Sequence, residues 1–120
     1  MTEFEIFFDA FIEAALWSSS DSNKDSDISL QSKGYTIDNI NEESLAKLKE
    51  DCLIFFNDNY SIIKNDLERA GHDFWLTSNR HGAGFWDGDW EYKIGKHLTE
   101  DSHEYPERYF WVLDGIVYCD

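Results

Sequence analysis

Between Leu45 and Leu67 the apolar residues Leu45, Leu48, Cys52, Phe56, Tyr60, Ile63 and Leu67 recur at steps of three and four, a spacing that puts them on one face of an α-helix. At about 3.6 residues per turn the run covers about six turns. Asn41 stands before it as an N-cap, and Glu42 and Glu43 occupy the first turn, where the helix dipole favours carboxylates. Gly71 is the expected residue just past its C-terminus. Asn57, Asp58 and Asn59 are weak helix formers within the run and mark where it is expected to bend or split.

The same spacing over Phe4, Phe7, Phe8, Phe11, Ala14 and Ala15 predicts an earlier helix from about Thr2 to Trp17, with Glu5, Asp9 and Glu13 on its other side. Those carboxylates interrupt the apolar stretch, so it neither spans a bilayer nor resembles an export signal, and a cytoplasmic protein without membrane contact is expected. Ser18 to Lys33 lacks periodicity and is rich in Ser, Asp and Asn, which predicts an exposed loop over 18–33. After Gly71 the period reads as two. His72–Thr77 and Gly84–Trp86 are expected as strands of a hairpin turning through Ser78–Gly82. Trp90 to about Ser102 returns to helical spacing, and Arg108–Leu113 and Ile116–Tyr118 flank Asp114-Gly115, a strong hairpin signal. The expected fold is α+β, a single domain over 1–120. Its helices pack on one face of a small antiparallel sheet of about four strands, in the order α-α-β-β-α-β-β.

Five Trp, six Tyr and nine Phe give this chain enough large apolar surface for a core. Its 25 Asp and Glu against 10 Lys and Arg give a formal charge of −15. Nucleic-acid binding rests on cationic side chains displacing counterions, so direct binding to DNA or RNA is excluded and a protein partner with a basic surface is expected. Cys52 and Cys119 lie far apart with no metal-ligand spacing and read as free thiols.

The stretch Ala70-Gly71-His72-Asp73-Phe74-Trp75-Leu76-Thr77-Ser78-Asn79-Arg80-His81-Gly82-Ala83-Gly84-Phe85-Trp86-Asp87 resembles a family of small acidic proteins encoded by bacteriophages. The likeness continues in Ala14–Ser19, Glu50–Cys52, Gly95–Thr99 and Leu113–Tyr118. Relatives often carry Thr-Arg-Asn-Gly-His where this chain has Thr77-Ser78-Asn79-Arg80-His81. The resemblance implies a phage accessory protein acting in the host cytoplasm, and it identifies relatives rather than a reaction.

No residue set forms a recognisable catalytic site, and neither cofactor nor metal is expected. Binding is expected at Trp75, Arg80, His81, Trp86 and Asp87 of the central motif and at Glu42, Glu43, Glu50 and Asp51 on the long helix. In its sharper form this reading makes the chain a DNA mimic, whose helical rows of carboxylates occupy a DNA-binding groove on another protein and inhibit it. The alternative is a small metal-dependent or acid–base enzyme using His72, Asp73, His81 and Asp87, although this spacing matches no established motif. Gly82-Ala83-Gly84 lacks the following Lys-Ser or Lys-Thr of a phosphate loop, and its small residues read as permitting close approach of other groups. Of Phe74, Trp75, Phe85, Trp86, Tyr109, Phe110 and Trp111, about half are expected in the core and half on a second face that would meet a partner or a second copy of the chain.

Overall fold

The computed structural model describes residues 1–21, 24 and 26–119. Helix α1 (Glu3–Ser18) starts at a reciprocal cap. The Glu5 amide donates to Thr2 Oγ1 at 3.1 Å, and the Thr2 amide donates to Glu5 Oε1 at 3.2 Å. Phe7, Phe8, Ala10, Phe11, Ile12, Ala14, Ala15 and Leu16 are all buried, so α1 is a central helix with a single exposed ridge.

Helix α2 (Glu42–Ile63) begins as the sequence predicts, with Asn41 Oδ1 accepting from the Ser44 amide at 3.1 Å. It does not break at Asn57–Asn59. Asn59 is buried in α2 and donates through Nδ2 to the Phe55 carbonyl at 3.0 Å and to Asp101 at 2.6 Å, while its Oδ1 lies 3.1 Å from His97 Nε2. The break falls at Lys64-Asn65-Asp66, where the Asp66 side chain caps a new helix, α3 (Leu67–Ser78).

Helix α3 is the main correction to the expected fold. His72–Thr77 is helical, Gly84–Trp86 is irregular, and the hairpin predicted across Ser78–Gly82 does not form. The apparent alternation masked a stronger period, since Leu67, Ala70, Gly71, Phe74, Trp75 and Ser78 are all buried and recur at three and four. Gly71 is a mid-helix contact, not a terminus. A Cβ there would lie 2.0 Å from the Phe7 carbonyl oxygen, so the missing side chain is what lets α3 lie directly on α1. The helix ends in a Schellman closure, with the His81 amide donating to the Leu76 carbonyl at 2.9 Å and the Arg80 amide to the Thr77 carbonyl at 3.0 Å. Arg80 takes the left-handed position at φ 57°.

The chain then folds back on α3, with the Phe85 amide donating to the buried Thr77 Oγ1 at 3.1 Å. Helix α4 (Tyr92–Ser102) follows, and its Gly95 lets the Phe85 carbonyl approach to within 2.5 Å of where a Cβ would stand. Strands β1 (Phe110–Leu113) and β2 (Ile116–Cys119) pair antiparallel through Asp114-Gly115, both at positive φ, as the Asp-Gly signal predicts. The architecture is therefore α+β with four helices and a two-stranded sheet among the described residues, in the order α-α-α-α-β-β, not a four-stranded sheet. The outer edge of β2 is closed by α2, since the Asn41 amide donates to the Val117 carbonyl at 2.8 Å and the Cys119 amide to Ser44 Oγ at 2.9 Å.

Aromatic rings fill the centre. Phe55 and Phe74 stack at 4.0 Å between centroids, flanked by Phe7, Phe85 and Tyr105. Both cysteines are buried, and burial pushes the Cys52 thiol well above its ordinary pKa. Of the loop expected over 18–33, Ser22, Asn23 and Asp25 lie outside the described residues. Leu30 is fully buried and Ser20 bridges to Ser29, so that segment is anchored to the core. No helix among the described residues is long and apolar enough to cross a membrane.

Candidate functional site

The exposed ridge of α1 carries Glu5, Asp9, Glu13 and Trp17, every fourth residue. At about 1.5 Å rise per residue these side chains leave the helix about 6 Å apart. Beside this ridge, α1, α3 and the loop that follows α3 enclose a groove of about 430 Å³. Six carboxylates line it, from Glu13, Asp66, Glu68, Asp73, Asp87 and Asp89, against the single guanidinium of Arg69. Arg69 is already committed, at 3.0 Å from Asp66 and 2.9 Å from Asp89. Trp17 and His72 add an aromatic wall, with ring centroids 6.0 Å apart.

Helix geometry explains the convergence. Asp66, Arg69 and Asp73 stand at steps of three and four from the start of α3 and share one face. Asp73 is only 5% exposed, and burial raises its carboxyl above the ordinary carboxylate pKa. The charge of Asp87 pushes in the same direction, while a 2.8 Å hydrogen bond from Trp90 Nε1 opposes both. Asp87 is fixed by accepting the Gly84 amide at 3.2 Å.

The loop divides its side chains by position. Asp87 and Asp89 line the acidic groove, whereas Trp86, Gly88 and Trp90 line a second groove of about 420 Å³ between the loop and α4. One short segment thus presents carboxylates on one side and indoles on the other.

The structure brings His72, Asp73 and Asp87 together in the acidic groove but leaves His81 elsewhere, exposed beside Trp75 and Trp111 in a separate groove of about 530 Å³. Among the described residues, no group of three or more His, Cys, Asp or Glu side chains could hold a metal ion. Trp75 is buried and donates through Nε1 to Ser18 Oγ at 2.7 Å. Arg80 is held in place by the His103 carbonyl at 3.3 Å and by Glu107 at 3.5 Å. Glu42, Glu43 and Glu50 are exposed on α2, but Lys47 and Lys49 share that surface. Asp51 is half-buried and paired with Arg108 at 2.9 Å, which ties the segment before β1 to α2.

Glu13, Asp66, Glu68 and Asp89 in the acidic groove, and Trp17 beside them, did not stand out in the sequence among so many other acidic and aromatic residues. The signal that finds them is Asp66 as an N-cap, because starting a helix there aligns Asp66, Arg69 and Asp73. No family model, curated protein or solved structure matches this chain.

Proposed function

We propose that this chain is a non-enzymatic accessory protein, of the kind bacteriophages encode, that binds a basic surface on a host or phage protein through the acidic groove beside α1. The observation that carries this reading is the convergence of six carboxylates on one groove whose only guanidinium is already paired. A formal charge of −15 extends the attraction beyond contact and speeds encounter with a cationic patch.

The finer form of the reading is that groove and ridge together occupy a DNA-binding surface and so inhibit a DNA-acting machine. Duplex DNA carries one charge per about 3.4 Å on each strand. The ridge alone, with one carboxylate per about 6 Å, is sparser than a strand. Mimicry therefore needs the groove carboxylates as a second row.

The immobilised protein and a triple variant, Glu13→Gln with Asp87→Asn and Asp89→Asn, are to be compared in capture from infected bacterial extract at low and high salt. Basic proteins should be retained at low salt, released as salt rises and lost from the variant, and duplex DNA should compete for them without binding the chain itself. Retention indifferent to both salt and the substitutions, or tight direct binding of the purified chain to DNA, would overturn the reading.

A further inference from the structure

The groove on the other side of the loop is built unlike the acidic one. Trp86, Trp90 and Tyr92 surround it, with Lys96, Thr99 and Glu100 of α4 along its rim. Trp90 is rigid, because its Nε1–H is committed to Asp73 at 2.8 Å and its ring meets Phe85 edge-on at 5.5 Å. The other two rings are solvent-facing, Trp86 at 56% exposure and Tyr92 at 77%. Thr99 Oγ1 donates its proton to the Gly95 carbonyl at 2.8 Å, so toward the groove it offers only an acceptor. At about 420 Å³ the groove falls in the size range of small-ligand sites.

Aromatic faces carry negative potential and attract cations, most strongly when the cation is flat and weakly hydrated, as guanidinium is. Such faces also stack on nucleobases, but a chain of −15 repels the phosphates that come with them. Glu100 on the rim and Asp87 and Asp89 across the loop add the same preference for positive charge.

We propose that this aromatic groove seats the guanidinium of an arginine in a partner's basic segment, which straddles the 84–91 loop with its other cations in the acidic groove. This inference rests on the acidic-groove reading for the identity of the partner segment, but the two grooves are separable by mutation. Lys96 is the one cation lining the aromatic groove and competes with the incoming arginine.

The test is titration of the purified full chain with a blocked peptide of alternating arginine and glycine, followed by tryptophan fluorescence and calorimetry at fixed ionic strength. Trp86→Leu and Tyr92→Leu, at exposed positions where folding is not at stake, should each weaken binding about three- to tenfold. Trp86→Phe, which keeps an aromatic face, should lose less than Trp86→Leu, and Lys96→Gln should bind more tightly than the parent chain. A peptide with citrulline in place of arginine should bind the parent chain no better than arginine peptide binds Trp86→Leu. If binding is unchanged by the aromatic substitutions but falls with Asp87→Asn and Asp89→Asn, the aromatic seat is overturned and the acidic groove stands. If the aromatic substitutions alone matter, the seat stands and the acidic-groove reading falls. Citrulline peptide binding as well as arginine peptide would show that charge is not recognised and would overturn the inference, and no binding of the arginine peptide at low salt would overturn both.

Discussion

Gly71 shows how a single absent side chain sets the geometry of this protein. Glycine inside a helix ordinarily costs about 0.5–1 kcal/mol relative to alanine. Here the usual gain from alanine is reversed, because the added methyl would stand 2.0 Å from the Phe7 backbone oxygen and would force α1 and α3 apart. Gly71→Ala should therefore destabilise the fold by about 1–3 kcal/mol in chemical denaturation, and an unchanged or raised stability would contradict the packing described. Asp73 couples folding stability to pH. Its carboxyl has a raised pKa in the folded state, chiefly from burial, so the folded protein holds that proton more tightly than the unfolded chain does. Its favourable contribution is complete below the ordinary carboxylate pKa and is lost as pH rises through the raised folded value. Asp73→Asn keeps an oxygen for Trp90 Nε1–H and cannot ionise. The stability of the variant relative to the parent should therefore climb as pH rises from acid through the carboxylate range, and a difference that is flat or falls with pH would refute the assignment.

Among the elements, the helices predicted to start at Thr2 and Asn41, the helix after Trp90 and the Asp-Gly hairpin formed, although the second helix ends at Ile63 and not at Gly71; each start is encoded by local signals: three-four spacing, an N-cap, a turn that demands positive φ. The segment His72–Trp86 departs from the expected strands, since Phe74 and Leu76 invite an alternating pattern while its helical partners, Leu67 and Ala70, lie upstream of a glycine that looks like a stop. What decides for helix is tertiary, namely the fit of Gly71, Phe74 and Trp75 against α1. The C-terminal closure of α3 turns on Arg80. Arg80 holds a left-handed conformation, where an L-residue costs about 1–2 kcal/mol, and offsets part of it through its bonds to the Ser78 and His103 carbonyls and to Glu107. Arg80→Ala keeps the strain and loses the bonds, while Arg80→Gly loses both. The glycine variant should exceed the alanine variant in unfolding free energy by about 1 kcal/mol, and the reverse order would show that the left-handed closure is not strained.

Across the whole molecule, a radius of gyration of 14.0 Å is close to the roughly 13.6 Å expected for a compact chain of this length, so the charge of −15 is confined to a small surface. Self-repulsion on that surface should weaken as the Debye length falls from about 30 Å to about 8 Å between dilute buffer and physiological salt. The Tm should rise over that range, and a Tm that falls would mean that attractive ion pairs such as Asp51–Arg108 outweigh the repulsion. Sequence alone determined the sign of the exterior potential, the two N-terminal helix starts and the C-terminal hairpin, because each depends on composition or on residues a few positions apart. The seating of α3 on α1, the pairing of Asp51 and Arg108, the separation of His81 from His72, and the sorting of Trp86 and Asp87 into different grooves were decided only by tertiary structure. They depend on which surfaces pack together over long separations in the chain, and the dominant contact among these surfaces, α3 on α1, is set by the one residue that has no side chain to keep them apart.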